Sequence, residues 1–235
     1  AGQDALSECT VAGRDGSVII DRCLTEAALP TADAARLFRL ESHAVSRGRR
    51  ACVSGAPVLS RSECAWLVDA AEAHASAAGG WSTTRHAHAP TTDLEVHAIR
   101  AVLRWFNAAC ATRLFPLATA AFPELGLRAS SVRVSDAFVV RYDADGGQSF
   151  LPPHADNAHL SLTLALNPRS DFDGGGTRFE ATGLVLSPEA GHVVCFPGSL
   201  RHAGHPITRG RRYIIAAFLW LDGFVEPGAW AEDWR

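Results

Sequence analysis

Between Val58 and Ala121 the apolar residues recur every three or four positions, whereas from Val132 onward they fall into short alternating or unbroken runs. The first pattern is that of helices with one buried stripe, the second that of strands. Ser60 followed by Glu63 has the form of a capping box. A helix is therefore predicted from there, with Trp66, Leu67, Ala70, Ala71 and His74 at helical spacing and Gly79-Gly80 as its end. A second helical stretch runs from about Glu95 towards Ala121 and places Ile99, Val102, Leu103, Phe106 and Cys110 on one face, with Pro116 expected to break or kink it. Residues 81–93, between the two, read as a polar loop or edge segment. Strands are predicted over residues 132–141, 160–166, 177–179, 184–186, 192–196 and 213–221, separated by Gly, Pro and Asp turns.

Helices first and many short strands afterwards give an α+β class, with helices packed against a double-sheet jelly roll. Residues 58–122 would be the helical support and residues 130–222 the jelly-roll core, both within a domain spanning 53–235. Residues 1–52 form an N-terminal extension of uncertain role. It is Ala-rich and charged, has a weak helical pattern near residues 31–43, and ends in the basic cluster Arg47-Gly-Arg-Arg50, which reads as a solvated connector. No internal repeat or low-complexity tract interrupts the chain.

The chain has 235 residues and a net charge of −3, so its bulk charge favours neither nucleic acid nor an anionic membrane surface. The longest apolar run, residues 213–221, is too short to cross a bilayer. Without methionine or a basic-then-apolar leader, the sequence reads as a mature or trimmed chain. Six cysteines, Cys9, Cys23, Cys52, Cys64, Cys110 and Cys195, permit many pairings. Cys9 and Cys23 flank a short Gly-containing segment and would form a local disulfide in an oxidising compartment, whereas Cys195, in an apolar strand, reads as a core thiol.

Chemistry concentrates after residue 150. In an extended segment His154 and Asp156 project to the same side and can grip one ion together. His202, carried on a separate apolar run, would complete two imidazoles and one carboxylate, the facial set of non-haem Fe(II) oxygenases; zinc is the rival metal. Arg212 opens a strand-like run, from which a guanidinium facing inward could hold the far carboxylate of a bound dicarboxylic keto acid by two parallel hydrogen bonds. Strand alternation lets only one of Arg211 and Arg212 face inward. His86 and His88 also alternate and could bind a metal, although as loop residues they would line a substrate entrance. His159 and His205 lie near the site in sequence, and Trp220 shares parity with Arg212 and could line the same cavity. Gly174-Gly-Gly176 lacks the lysine and helix of a phosphate loop and reads as a turn. The aspartates at 143, 145, 171 and 173 lack the ordered calcium-loop pattern.

Phe138-Val-Val-Arg-Tyr142, Pro153-His154-Ala-Asp156, Leu162-Thr-Leu-Ala-Leu-Asn167, Asp173-Gly-Gly-Gly-Thr-Arg-Phe179, Phe196-Pro-Gly198, His202-Ala-Gly-His-Pro-Ile-Thr208 and Gly210-Arg-Arg-Tyr213 occur in that order. Together they resemble the catalytic domain of Fe(II)/2-oxoglutarate-dependent dioxygenases of the prolyl 4-hydroxylase and procollagen lysyl hydroxylase type, over roughly residues 130–222. The resemblance implies a double-stranded β-helix, iron ligands His154, Asp156 and His202, Arg212 rather than Arg211 as the 2-oxoglutarate anchor, and cosubstrate contacts from Tyr142 and Thr177. It further implies Fe(II), 2-oxoglutarate and O2, with ascorbate as an accessory reductant, and release of succinate and CO2. Thr177 stands where the lysyl enzymes often carry cysteine, so substrate preference is not carried across.

An acidic residue at 156 favours hydroxylation over halogenation, since related halogenases have a small residue there. Nucleic-acid repair is disfavoured because Phe218 stands where repair dioxygenases carry a second arginine. The leading expectation is therefore hydroxylation of a prolyl or lysyl side chain in a peptide, with segments 81–93 and 143–153 as candidate walls of the substrate groove. The alternatives are oxidation of a free small molecule and a non-catalytic iron and 2-oxoglutarate sensor. The same resemblance leans towards the secretory pathway or ER lumen, with the cytoplasm as the other setting.

Overall fold

A computed structural model describes residues 9–12, 18–21, 39–86, 89–225 and 227, with side chains described from residue 39. Two antiparallel sheets face each other. The larger runs in the order β1-β2-β6-β14-β8-β12-β4-β3, with β5 pairing to β6 and β9 to β14. Its strands are β1 (Cys9–Ala12), β2 (Val18–Asp21), β3 (Leu40–Ser46), β4 (Arg49–Ser54), β5 (Asp93–Glu95), β6 (Val132–Asp143), β8 (Leu160–Ala165), β9 (Phe172–Gly174), β12 (Val193–Pro197) and β14 (Ile207–Leu221). The smaller sheet has the order β11-β10-β13-β7, built from β7 (Leu151–His154), β10 (Thr177–Phe179), β11 (Val185–Leu186) and β13 (His202–Gly204). The predicted α+β jelly roll is the observed architecture.

Three helices pack on the outer face of the large sheet: α1 (Arg61–Ala78), α2 (Arg100–Ala109) and α3 (Phe115–Ala121). The division of labour follows the two-residue period of the strands. Tyr213, Ile215, Ala217, Leu219 and Leu221 of β14 join Leu160, Leu162 and Leu164 of β8 in the core beneath Leu67, Val102, Phe106 and Leu117. The intervening residues face the smaller sheet. Strands buried on both faces carry near-continuous apolar runs, which is why β6, β8 and β14 were visible in the sequence.

The capping box forms as predicted: Ser60 accepts from the Glu63 amide, and the Glu63 carboxylate accepts from the Ser60 amide at 2.8 Å. Gly79, at φ 87°, closes α1 in the left-handed conformation. Glu63 also accepts from Trp105 Nε1 at 3.0 Å and from Arg113 at 2.7 Å, so one carboxylate ties α1 to the second helical layer. The Arg113 hydrogen bonds hold its pKa down to about 2, against the opposing effect of burial.

Several expectations are corrected. The helical pattern near residues 31–43 gives way to a strand from Leu40; residues 31–38 lie outside the described set. The cluster Arg47–Arg50 is a hairpin turn running into β4 and not a solvated connector: Arg49 is buried and donates to Ser199 Oγ at 2.9 Å, and Arg50 pairs with Glu124 at 2.7 Å. The boundary drawn at residue 52 falls inside β4, which pairs with β12 through Cys52 and Cys195. The second helical stretch is divided: a π-helical turn, Cys110–Leu114, intervenes, and Pro116 sits in the first turn of α3, where its missing N–H is tolerated. Segment 81–93 is anchored by a Ser82–Asp93 bridge leading into β5. Cys52, Cys64, Cys110 and Cys195 are buried free thiols, as expected of Cys195, while the pairing expected of Cys9 and Cys23 lies outside the described side chains. Among the described residues, no helix is long and apolar enough to cross a membrane.

Glu63 yields a test of this helical joint. Its folded-state pKa lies below the ordinary 4.5, so the interaction stabilises above about pH 4.5 and is lost as pH falls towards 2. Glu63→Gln is expected to cost on the order of 2 kcal/mol at neutral pH and to flatten that acid-side loss, as measured by denaturant unfolding at several pH values.

Candidate active site

The pairing of β7 with β13 sets His154 directly opposite His202, so the backbone ladder itself delivers two imidazoles to one place. Their ring centroids are 4.4 Å apart. Asp156 lies just beyond the end of β7, its amide donating to Gly198 O at 2.9 Å. Its two carboxylate oxygens lie 3.3 Å from His154 Nε2 and 3.5 Å from His202 Nε2. One ligand atom from each of the three falls within 4.8 Å of the others, the one such group among the described residues.

Each imidazole is oriented from behind. His154 Nδ1 donates to Pro152 O at 2.9 Å and His202 Nδ1 to Leu200 O at 2.8 Å, which places the proton on Nδ1 and leaves both Nε2 lone pairs towards the centre. Ser161 Oγ, on the inner face of β8, donates to Asp156 at 2.5 Å. Burial pushes the Asp156 pKa up, but the two imidazoles and Ser161 outweigh it and hold the carboxylate ionised. Burial pulls His202 down and prevails, whereas the hydrogen bond and charge of Asp156 outweigh burial at the more exposed His154 and raise it. An ionised carboxylate and two Nε2 donors, with the remaining side open to a cavity, fit the facial donor set of Fe(II) oxygenases.

That cavity, about 380 Å³, runs between the sheets and is lined by all three ligands and by Arg212, Tyr142 and Thr177. Arg212 is buried, 5.2 Å above the ring of its cross-strand partner Tyr142. No carboxylate among the described residues pairs with it, and burial lowers its pKa against the offsetting effect of Tyr142. A buried guanidinium without an acidic partner is costly, and an anion in the cavity would relieve that cost. Arg211 points the other way and pairs with Asp143 at 2.7 Å, which resolves the alternation in favour of Arg212. Glycine is required at 204, where a Cβ would lie 2.7 Å from the Tyr142 hydroxyl.

Other sequence candidates are dispersed. Trp220 lies on the inner side of β14 but past the cavity, exposed, its ring centroid 4.7 Å from that of His159 and tilted against it. His159 accepts from the Leu221 amide, and neither it nor His205 lines the cavity. His86 does line the cavity, away from the metal-binding group, while His88 lies outside the described residues. Ser161 was missed, although Leu160-Ser-Leu-Thr-Leu164 places two hydroxyls at one parity in an otherwise apolar strand, a legible signal of a functional inner face.

The sequence pattern of the 2OG-Fe(II) oxygenase superfamily matches residues 137–220, a span that includes the three ligands and Arg212. That match gives residues 137–220 the pattern of a 2OG-Fe(II) oxygenase domain. It is 34% identical over 176 residues to the Homo sapiens "Multifunctional procollagen lysine hydroxylase and glycosyltransferase LH3", covering 69% of this chain and 23% of the relative. The Bos taurus "Procollagen-lysine,2-oxoglutarate 5-dioxygenase 1" is 30% identical over the same share. The chain thus spans about a quarter of the length of these relatives. A crystal structure of a 2OG-Fe(II) oxygenase family oxidoreductase from Burkholderia pseudomallei shares the fold, with a TM-score of 0.53, 18% identity and coverage of 85% of this chain and 92% of that one. Within the superfamily, His154, Asp156 and His202 are the residues that can hold the iron, and 2-oxoglutarate is the implied cosubstrate.

Ser161 provides a check on this superfamily's metal site that leaves the ligands untouched. Ser161→Ala is expected to weaken Fe(II) affinity by roughly tenfold, as second-sphere losses do, in an anaerobic metal titration of the folded protein.

Proposed function

We propose that this chain is an Fe(II)- and 2-oxoglutarate-dependent hydroxylase acting on a lysyl or prolyl side chain within a peptide or protein. The observation that carries the reading is Arg212, a buried guanidinium lacking an acidic partner among the described residues, in the same cavity as the His154–Asp156–His202 cluster. Iron with 2-oxoglutarate and O2 supplies the oxidising chemistry, coupling release of succinate and CO2 to insertion of one oxygen atom into a C–H bond.

The chain's own residues do the rest. Arg212, with Tyr142 beside it and Thr177 on the facing sheet, would take the distal carboxylate by charge-assisted hydrogen bonds and fix the direction in which the cosubstrate enters. His154, Asp156 and His202 leave one side of the metal position open to the cavity. Phe138, Ile214, Ala216 and Phe218 give that cavity an apolar wall along which an aliphatic side chain can lie. The two relatives named above support a lysyl side chain in a protein as substrate, and their procollagen substrates support a place in the secretory pathway. Residues from Leu40 onward contribute to the sheets that carry the site, so the catalytic unit proposed here begins before residue 53.

Two substitutions test the assignment. His154→Ala is expected to abolish iron-dependent succinate formation; undiminished turnover would remove His154 from the metal site. Arg212→Ala is expected to raise the 2-oxoglutarate requirement by about a hundredfold, in line with loss of a bidentate ionic contact, while iron binding persists. Succinate should rise with lysine- or proline-containing peptides; stimulation by free amino acids or other small molecules instead would move the substrate class.

A further inference from the structure

The ligand cluster and Arg212 occupy only part of the cavity wall. On the segment leading into β5 the cavity meets a second His–Asp pair, one that the proposed chemistry leaves unused. Asp93, fully buried, receives Arg85 Nη1 at 2.6 Å and the hydroxyl of Thr91. His86 Nε2 lies 3.6 Å from its other oxygen, and the imidazole packs 4.8 Å from the Phe138 ring. That Nε2 is shut off from solvent without a hydrogen bond, yet the side chain as a whole is 25% exposed and lines the cavity. Among the described residues, neither ring nitrogen has a hydrogen-bond partner.

Arg85 already pins this segment, because its three guanidinium nitrogens are committed to Asp93, to Glu95 at 3.1 Å and to Asp136 at 3.0 Å. A second structural anchor two atoms away would be redundant. What His86 adds is an oriented imidazole: a carboxylate beside Nε2 favours the proton there and leaves Nδ1 as an acceptor. We infer that His86 is a substrate-positioning residue whose Nδ1 accepts a hydrogen bond from an N–H group of the substrate, an amide or an amine. The carbon chain bearing that group lies along Phe138, Ala216 and Phe218 towards His154 and Asp156. The inference rests on the hydroxylase reading above and deepens it, since it ties recognition to a nitrogen-bearing substrate.

The test uses the lysine- or proline-containing peptide that most stimulates succinate formation by the wild-type chain. With His86→Ala, its KM is expected to rise about tenfold, the worth of one hydrogen bond, and its calorimetric affinity for the iron-loaded protein to fall by the same factor, while the KM for 2-oxoglutarate holds. An asparagine amide oxygen falls near the place of Nδ1 and a glutamine amide near that of Nε2, so His86→Asn should recover most of the affinity and His86→Gln little. An unchanged peptide KM and affinity in His86→Ala would overturn the inference, as would equal recovery by both amides or a parallel rise in the 2-oxoglutarate KM. Melting temperatures of the amide variants separate a folding defect from lost recognition. Absence of succinate formation by the wild-type chain with every peptide would instead overturn the hydroxylase reading, and this inference with it.

Discussion

The strict two-residue alternation of β14, a strand buried on both faces, is the constraint on which the remainder of the molecule depends. Its odd-numbered residues from Tyr213 to Leu221 complete the core beneath the helices, and its even-numbered residues from Arg212 to Phe218 line the cavity. A slip of one residue would send Arg212 into the helical core and Tyr213 into the cavity. Such a register is held by apolar burial on one face, so the helices, which contribute no side chain to the metal cluster, fix the direction of the cosubstrate anchor. Pairing with β6 from Arg211 to Leu221 on one side and with β8 from Ile214 to Leu219 on the other leaves little freedom to slip.

A second device converts strand pairing into coordination geometry. Antiparallel partners place their side chains close together across the ladder, and the His154–His202 pair uses that closeness to bring two imidazoles from residues 48 positions apart to one centre. Backbone carbonyls behind each ring then decide which nitrogen is offered. His154, His202 and Asp156 are each held by a hydrogen bond to a neighbouring residue, whereas among the described residues Arg212 has no acidic partner and the His86 nitrogens have no hydrogen bond. Both line the cavity, where a bound ligand could partner them.

Much of this was legible in the chain because the signals were local. The Ser60/Glu63 box, the Gly79 stop and the apolar runs of β6, β8 and β14 each announce themselves within a few residues. The set His154, Asp156, His202 and Arg212 was legible because its spacing could be read against strand parity. What escaped was carried by tertiary context. β3 leaves its side chains exposed or half-buried and buries only Val45, so its alternation is faint and overlaps a helical pattern. Arg49 looked like part of a solvated basic cluster, and only the turn into β4 buries it. Trp220 kept the parity of Arg212, but the cavity ends before it, a matter of depth that periodicity does not encode. His86 gained meaning only when Asp93, seven residues away, folded back beside it.

The central claim is that the three ligands and Arg212 together hold Fe(II) and 2-oxoglutarate as one chelate. Anaerobic addition of both to the folded protein, followed by visible absorption, tests it most directly. The account predicts a weak metal-to-ligand charge-transfer band that requires both components. Iron-loaded, folded protein that shows no such band at saturating 2-oxoglutarate would contradict it.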